Sequence, residues 1–279
     1  MRKSLLLIAV LGTFAVPAMA EEMAAATAEP TSPHTFTYNI GLYSQYIFRG
    51  LTQTGKEPAL QGGVDYSHSS GFYLGTWGSN ISWTGADAGA LAKDASLEID
   101  IYGGYKNTIG DTGITYDLSL LQYLYPGAKN NGLGTLGYAD PNTTEAAAGL
   151  GWKWISAKWS QVVSKDGFGA DDAQGTWYAE LNGLYPIGDS GYSILAHVGR
   201  QEFRGHAGAA SFSNDKYLSY TDYKIGATKS WDNGVNVGGY YTTTTAKDTN
   251  LAEGDPTGFT NRGRNIGADA FTFFVQKTF

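Results

Sequence analysis

The chain has 279 residues, of which 16% are charged and 14% aromatic, with 38 Gly and no Cys; soluble domains run to about 25% charged. The absence of Cys excludes a disulfide scaffold. The formal charge of −7 becomes −9 once Arg2 and Lys3 leave with an export signal, and so acidic a chain gives no reason to expect a nucleic-acid partner.

Residues 1–20 read as that signal. Arg2 and Lys3 precede an apolar run of 12 residues over 5–16, and Ala18-Met19-Ala20 has the small-x-small shape of a cleavage site. A membrane helix needs about 20 apolar residues. This run is short for a span, and no second run of comparable length follows it. A mature chain in a membrane must therefore cross it as a closed barrel, the other structure that satisfies every backbone group in lipid. Residues 21–34, rich in Ala, Glu, Thr and Pro, are expected to form a flexible periplasmic segment ahead of a barrel over 35–279.

From Thr35 the dominant period is two, as in strands whose successive side chains face opposite ways. Phe36, Tyr38, Ile40, Leu42, Tyr46 and Phe48 share one face, interrupted at Ser44, and the first strand is expected to reach Arg49. Leu97, Ile99 and Ile101 alternate with Glu98, Asp100 and Tyr102; Ile114, Tyr116, Leu118 and Leu120 with Thr115, Asp117 and Ser119. Trp177, Ala179 and Leu181 alternate with Tyr178, Glu180 and Asn182; Val235 and Val237 with Asn236 and Gly238. Weaker runs near 58–67, 71–83, 144–152, 154–163, 190–203 and 217–230, with 265–279 closing the chain, give an all-β, transmembrane, antiparallel up-and-down barrel of about twelve strands. Alternate connections are short, near 67–71, 107–111, 153–155, 186–191 and 231–234, and the others are long. Short periplasmic turns with longer outer loops are the known asymmetry of such barrels. Trp77, Trp83, Trp152, Trp154, Trp177, Tyr185 and Trp231 sit near strand ends, where membrane interfaces favour aromatic rings. A soluble sandwich or lipocalin-like barrel also alternates, with its apolar face inward.

The chain ends in Phe279, and Val275, Phe273 and Phe271 lie on the same face, as outer-membrane barrels commonly end; Lys277 departs from that pattern and is expected to snorkel. Residues 44–54, SQYIFRGLTQT, are followed by 58–66, PALQGGVDY, and 71–80, GFYLGTWGSN. Over about 43–80 this resembles the TorF family of proteobacterial porins. The resemblance implies an outer-membrane channel without implying a solute.

On the face expected to line the pore lie Gln45, Arg49, Asp65, Glu98, Asp100, Lys106, Asp117, Glu145, Lys153, Lys158, Glu180, Asp222 and Lys224. Opposed acidic and basic rows would orient polar solutes in a transverse field. Arg49 is the foremost candidate because its charge is permanent, and an ion pair to Asp65 is its structural alternative. The loop over 126–141 is expected to be a mobile external loop, with folding into the lumen to narrow it as the alternative; its Gly132-Leu133-Gly134-Thr135-Leu136-Gly137 lacks the strand and helix of a dinucleotide site. Asp166, Asp171 and Asp172 share one outer loop and offer a divalent-cation alternative to a solvated acidic loop. No Cys nucleophile exists, His34, His68, His197 and His206 form no evident metal cluster, and Ser119 with His197 is the pairing left open for a hydrolase.

These residues point to a passive, non-enzymatic diffusion channel for small polar or charged solutes, with no cofactor. An outer-membrane hydrolase and a structural or adhesive barrel are the alternatives. The expected partners are outer-membrane lipid and lipopolysaccharide, the assembly machinery during insertion, and the small solute.

Overall fold

The computed structural model describes residues 32–84, 91–93, 95–130, 139–207, 212–246, 259–261 and 264–279. The expected signal over 1–20, all of the N-terminal segment before residue 32 and the 132–137 glycine motif lie outside them. Twelve strands form one closed barrel. They are β1 (His34–Tyr43), β2 (Ala59–His68), β3 (Phe72–Asn80), β4 (Leu97–Thr108), β5 (Ile114–Leu124), β6 (Thr143–Trp152), β7 (Ile155–Val162), β8 (Trp177–Pro186), β9 (Tyr192–Glu202), β10 (Tyr220–Ser230), β11 (Val235–Thr244) and β12 (Ala270–Thr278). Every strand pairs antiparallel with its chain neighbours, and β1 closes on β12 with Tyr43 opposite Phe274. Both sides of each strand are thus hydrogen-bonded, so the sheet has no open edge.

The period-two pattern sorts the side chains. Phe36, Ile40, Leu42, Leu74, Ile101, Leu118, Leu120, Leu150, Leu181 and Ile225 all point outward and are exposed, and Phe271 and Phe273 are 66% and 65% exposed. A water-facing protein rarely shows contiguous apolar patches beyond a few hundred Å². An inward apolar core, which the soluble alternative requires, is not what these strands build. The outer wall suits hydrocarbon, and the twist-closed sheet leaves polar groups to the inside.

The two ends differ. One end carries the short turns 69–71, 109–113, 153–154, 187–191 and 231–234. Gly71 shows why glycine stands there: its φ is +102°, and a Cβ would lie 2.4 Å from the Lys106 carbonyl oxygen. Trp152, Trp154, Tyr185 and Trp231 are exposed at this end. Lys277 is here too, its ammonium 5.3 Å from the Phe279 ring centre and donating to the Asn233 carbonyl, an outward lysine that reaches the rim instead of staying in the wall. The other end carries the long loops, with Trp177 stacked on Trp159 at 4.4 Å.

Two expectations fail at the first strand. β1 stops at Tyr43, because Ser44 ties off its end: the Ser44 N–H donates to the Phe273 carbonyl (2.8 Å) and its Oγ accepts from the Phe273 N–H (3.0 Å). Tyr46 and Phe48 then turn inward, away from the apolar wall they were expected to join. Trp77 also faces the lumen, edge-on to Tyr46 at 5.4 Å, and Trp83 packs edge-on against Tyr125 at 5.1 Å; neither is an interface residue.

Candidate functional site

Strand register puts Asp65 (β2), Glu98, Asp100 and Lys106 (β4), Asp117 (β5), Glu145 (β6), Lys158 (β7), Glu180 (β8), and Asp222 and Lys224 (β10) on the lumen face. Lys153 is not there: it occupies the tip of the 153–154 turn, exposed, with φ +55° and its ammonium 4.4 Å from the Trp152 ring centre. The charges do not form opposed rows either. Lys106 lies directly across from Asp117, and Lys158 from Glu180, so each of these lysines has a carboxylate on the next strand. Asp65 accepts from the Tyr102 hydroxyl at 2.5 Å and Asp117 from the Tyr73 hydroxyl at 2.9 Å.

Gln45 and Arg49 come from the first long loop, not from a strand. The side-chain amide of Gln45 donates to the Phe271 carbonyl at 3.0 Å. Ile47 and Phe48 pair with Thr52 and Leu51 in a small hairpin, and Arg49 and Gly50 form its two-residue turn with φ +44° and +82°. Two positive φ values define the mirror-image turn that suits a tight hairpin. Arg49 holds its left-handed conformation at a cost of about 1 kcal/mol. Gly50 is obligatory in addition for space, since a Cβ would lie 2.5 Å from Asp222 Cβ and 2.6 Å from Thr244 Cγ2.

Those contacts set the hairpin tip against β10 and β11, and the Arg49 side chain reaches on to β6 on the far wall. Arg49 is 5% exposed. Its Nη2 donates to both Glu145 oxygens (2.9 and 2.8 Å), and its Nη1 donates to Gln201 Oε1 (2.8 Å). The guanidinium carbon lies 4.3 Å from the Tyr178 ring centre, 4.8 Å from Phe48 and 5.4 Å from Phe168. Tyr123 donates to the same carboxylate at 3.0 Å. On the near wall the Tyr46 hydroxyl donates to Glu98 at 2.6 Å, and the Thr52 N–H donates to the Ile266 carbonyl at 2.9 Å. The hairpin therefore bridges the lumen at the long-loop end. Tyr46, Glu98, Tyr123, Glu145, Tyr178, Gln201 and Asp222 are all buried at this level. Nearer the short-turn end, Asp65, Lys106, Asp117, Ser119 and Lys158 keep partial exposure.

The expected pairing of Arg49 with Asp65 is replaced by Glu145, because the tip crosses the barrel instead of extending β1. The 47–52 hairpin enters the lumen, and the 126–141 loop, also offered for that place, has 131–138 outside the described residues. Tyr178, Gln201, Phe168 and Gly50 were not among the residues expected at the site. Tyr178 and Gln201 lie on alternating polar faces and were findable in that way; Phe168, in the 163–176 loop, carries no periodic signal.

A second buried cluster adjoins the first. The Tyr178 hydroxyl donates to Asp222 at 2.9 Å, His197 Nε2 lies 3.0 Å from Asp222 Oδ1, and His197 Nδ1 lies 2.6 Å from Asn182 Oδ1. The hydrogen-bond partners of His197 are thus Tyr178, Asp222 and Asn182, and the open Ser119–His197 pairing is not formed. Among the described residues no group of three His, Cys, Asp or Glu side chains is arranged to hold a metal.

The family described as "Bacterial protein of unknown function (Gcw_chp)" matches residues 27–279. The chain belongs to the Gcw_chp family. No curated protein matches its sequence. Solved structures that resemble this Gcw_chp barrel include the KdgM porin (5% identity over 87% of this chain and 98% of that one, TM-score 0.49) and the NanC porin (8% identity, 88% and 98%, TM-score 0.48). Another is an outer membrane channel from Pseudomonas putida F1 (14% identity, 90% and 99%, TM-score 0.46). In the Gcw_chp chain the acidic 163–176 loop supplies its own cation: Lys165 lies 3.0 Å from Asp171 and 3.3 Å from Asp166. The hydrogen bond from Lys165 holds the Asp171 carboxyl below its usual range.

Proposed function

We propose that this protein is an outer-membrane channel for small polar or charged solutes, closed at its outer mouth by the 47–52 hairpin. The observation that carries the reading is a closed barrel with an apolar, exposed outer face and ionisable groups on its inner face. Long loops face the exterior and short turns the periplasm, as in the general pattern of these barrels. Twelve strands lie between barrels of about 8, filled by side chains, and those of about 16, which hold an open channel. A narrow passage that one hairpin can obstruct fits that size. The narrower TorF assignment rests on the residues over 43–80, and the glycine-bounded turn at 49–50 falls within them. Lipopolysaccharide and outer-membrane lipid would contact the apolar wall, and the assembly machinery would insert it.

Planar-bilayer recording with the purified full-length protein tests this reading. Discrete current steps with long closed intervals are the expected result. Silence accompanied by lipid hydrolysis would replace the channel with an enzyme, and silence with neither activity would leave a structural barrel.

A further inference from the structure

We propose that the seat of Arg49 is a binding site for solutes that carry a guanidinium group, occupied in the closed barrel by the protein's own side chain. As regulation of the same mouth, this rests on the channel reading, but the site itself is defined by geometry alone. Glu145 on β6, Gln201 on β9, Tyr178 on β8 and Phe168 in the 163–176 loop belong to the barrel wall and its loops; only Phe48 and Arg49 arrive with the hairpin. Withdrawal of the hairpin leaves a carboxylate, an amide oxygen and two aromatic faces arranged around a vacated planar cation. A buried carboxylate that has lost its partner is costly. A free guanidinium spans the seat as Arg49 does, with one nitrogen on both Glu145 oxygens and a second on Gln201 Oε1, whereas an ammonium carries all its donors on one nitrogen and does not supply that two-nitrogen span. Such a solute competes with Arg49 and holds the hairpin off its seat. Tethering gives Arg49 an effective concentration of about millimolar order, so free ligand must be supplied in that range.

The test uses the full-length barrel in detergent and in bilayers, with guanidinium chloride as probe and methylammonium chloride at equal ionic strength as control. In Arg49→Ala, guanidinium should raise the unfolding midpoint and reduce the current, methylammonium should do neither, and both effects should be lost in Arg49→Ala/Glu145→Gln. In the unmodified protein, guanidinium alone should speed hydrogen exchange at the Thr52 amide, a readout that stands even if Arg49→Ala does not fold. Equal effects of the two cations, or a guanidinium effect that survives Glu145→Gln, would overturn the site. Guanidinium binding to an Arg49→Ala barrel that passes no current would instead overturn the channel reading and keep the site.

Discussion

Glu145→Ala is expected to release the hairpin from the far wall. Arg49 is nearly excluded from water and its charge is permanent, so it cannot escape the loss by deprotonation. Removing one partner of a buried ion pair costs about 3–5 kcal/mol, because the other charge stays desolvated. Arg49 has an alternative to paying that cost in place: it sits on a two-residue turn at the tip of a hairpin and can swing back to water. A penalty of that size shifts the seated-to-released ratio by roughly a hundredfold or more. The wall is untouched, since β6 keeps its backbone pairing on both sides. The expected result is a barrel with unchanged heat-modified mobility, a lost protection of the Thr52 amide that now bonds Ile266, and a raised ion current. Retention of amide protection at Thr52 would mean that the ion pair does not hold the hairpin.

Two adjacent alanines give the other large effect. Ala147 and Ala148 lie at the middle of β6 and point to opposite faces: Ala147 lies across from Ser119 and Ser160 on the lumen side, and Ala148 is exposed on the outer wall opposite Leu118 and Trp159. Ala148→Lys places an ammonium in hydrocarbon near the midplane and should cost about 2–4 kcal/mol. Ala147→Lys places the same group among serines on a face that already carries Lys158 and Asp117, where lumen substitutions change selectivity more than stability. Folding titrations in lipid vesicles should therefore separate the two variants by most of that difference. Equal penalties would deny that the two faces meet different solvents.

Most of the barrel was legible because a strand half-exposed to lipid writes its geometry directly into the chain. Leu97, Ile99 and Ile101 against Glu98 and Asp100 fix which face is which without any long-range information, and a closed sheet repeats that rule twelve times. The inward placement of Glu145, Glu180 and Asp222 follows from the same alternation. What alternation cannot encode is a segment that leaves the sheet. Tyr46 and Phe48 continue the apolar pattern beyond Ser44, so period alone extended β1 to Arg49. The competing signal was the turn itself: Phe48-Arg49-Gly50-Leu51 asks for two positive φ values, and arginine is an uncommon first residue for that turn. Partners such as Gln201 and Phe168, far from Arg49 in sequence, are fixed by the barrel's closure and not by anything local.

The most direct test of the account is single-channel recording before and after replacement of residues 47–52 by a pair of glycines. Long closed intervals in the parent protein should disappear in the shortened one, with larger steps, because the wall remains and only the bridge across it is gone. A correctly folded, shortened barrel whose current matches the parent's, or that stays silent, would contradict the account.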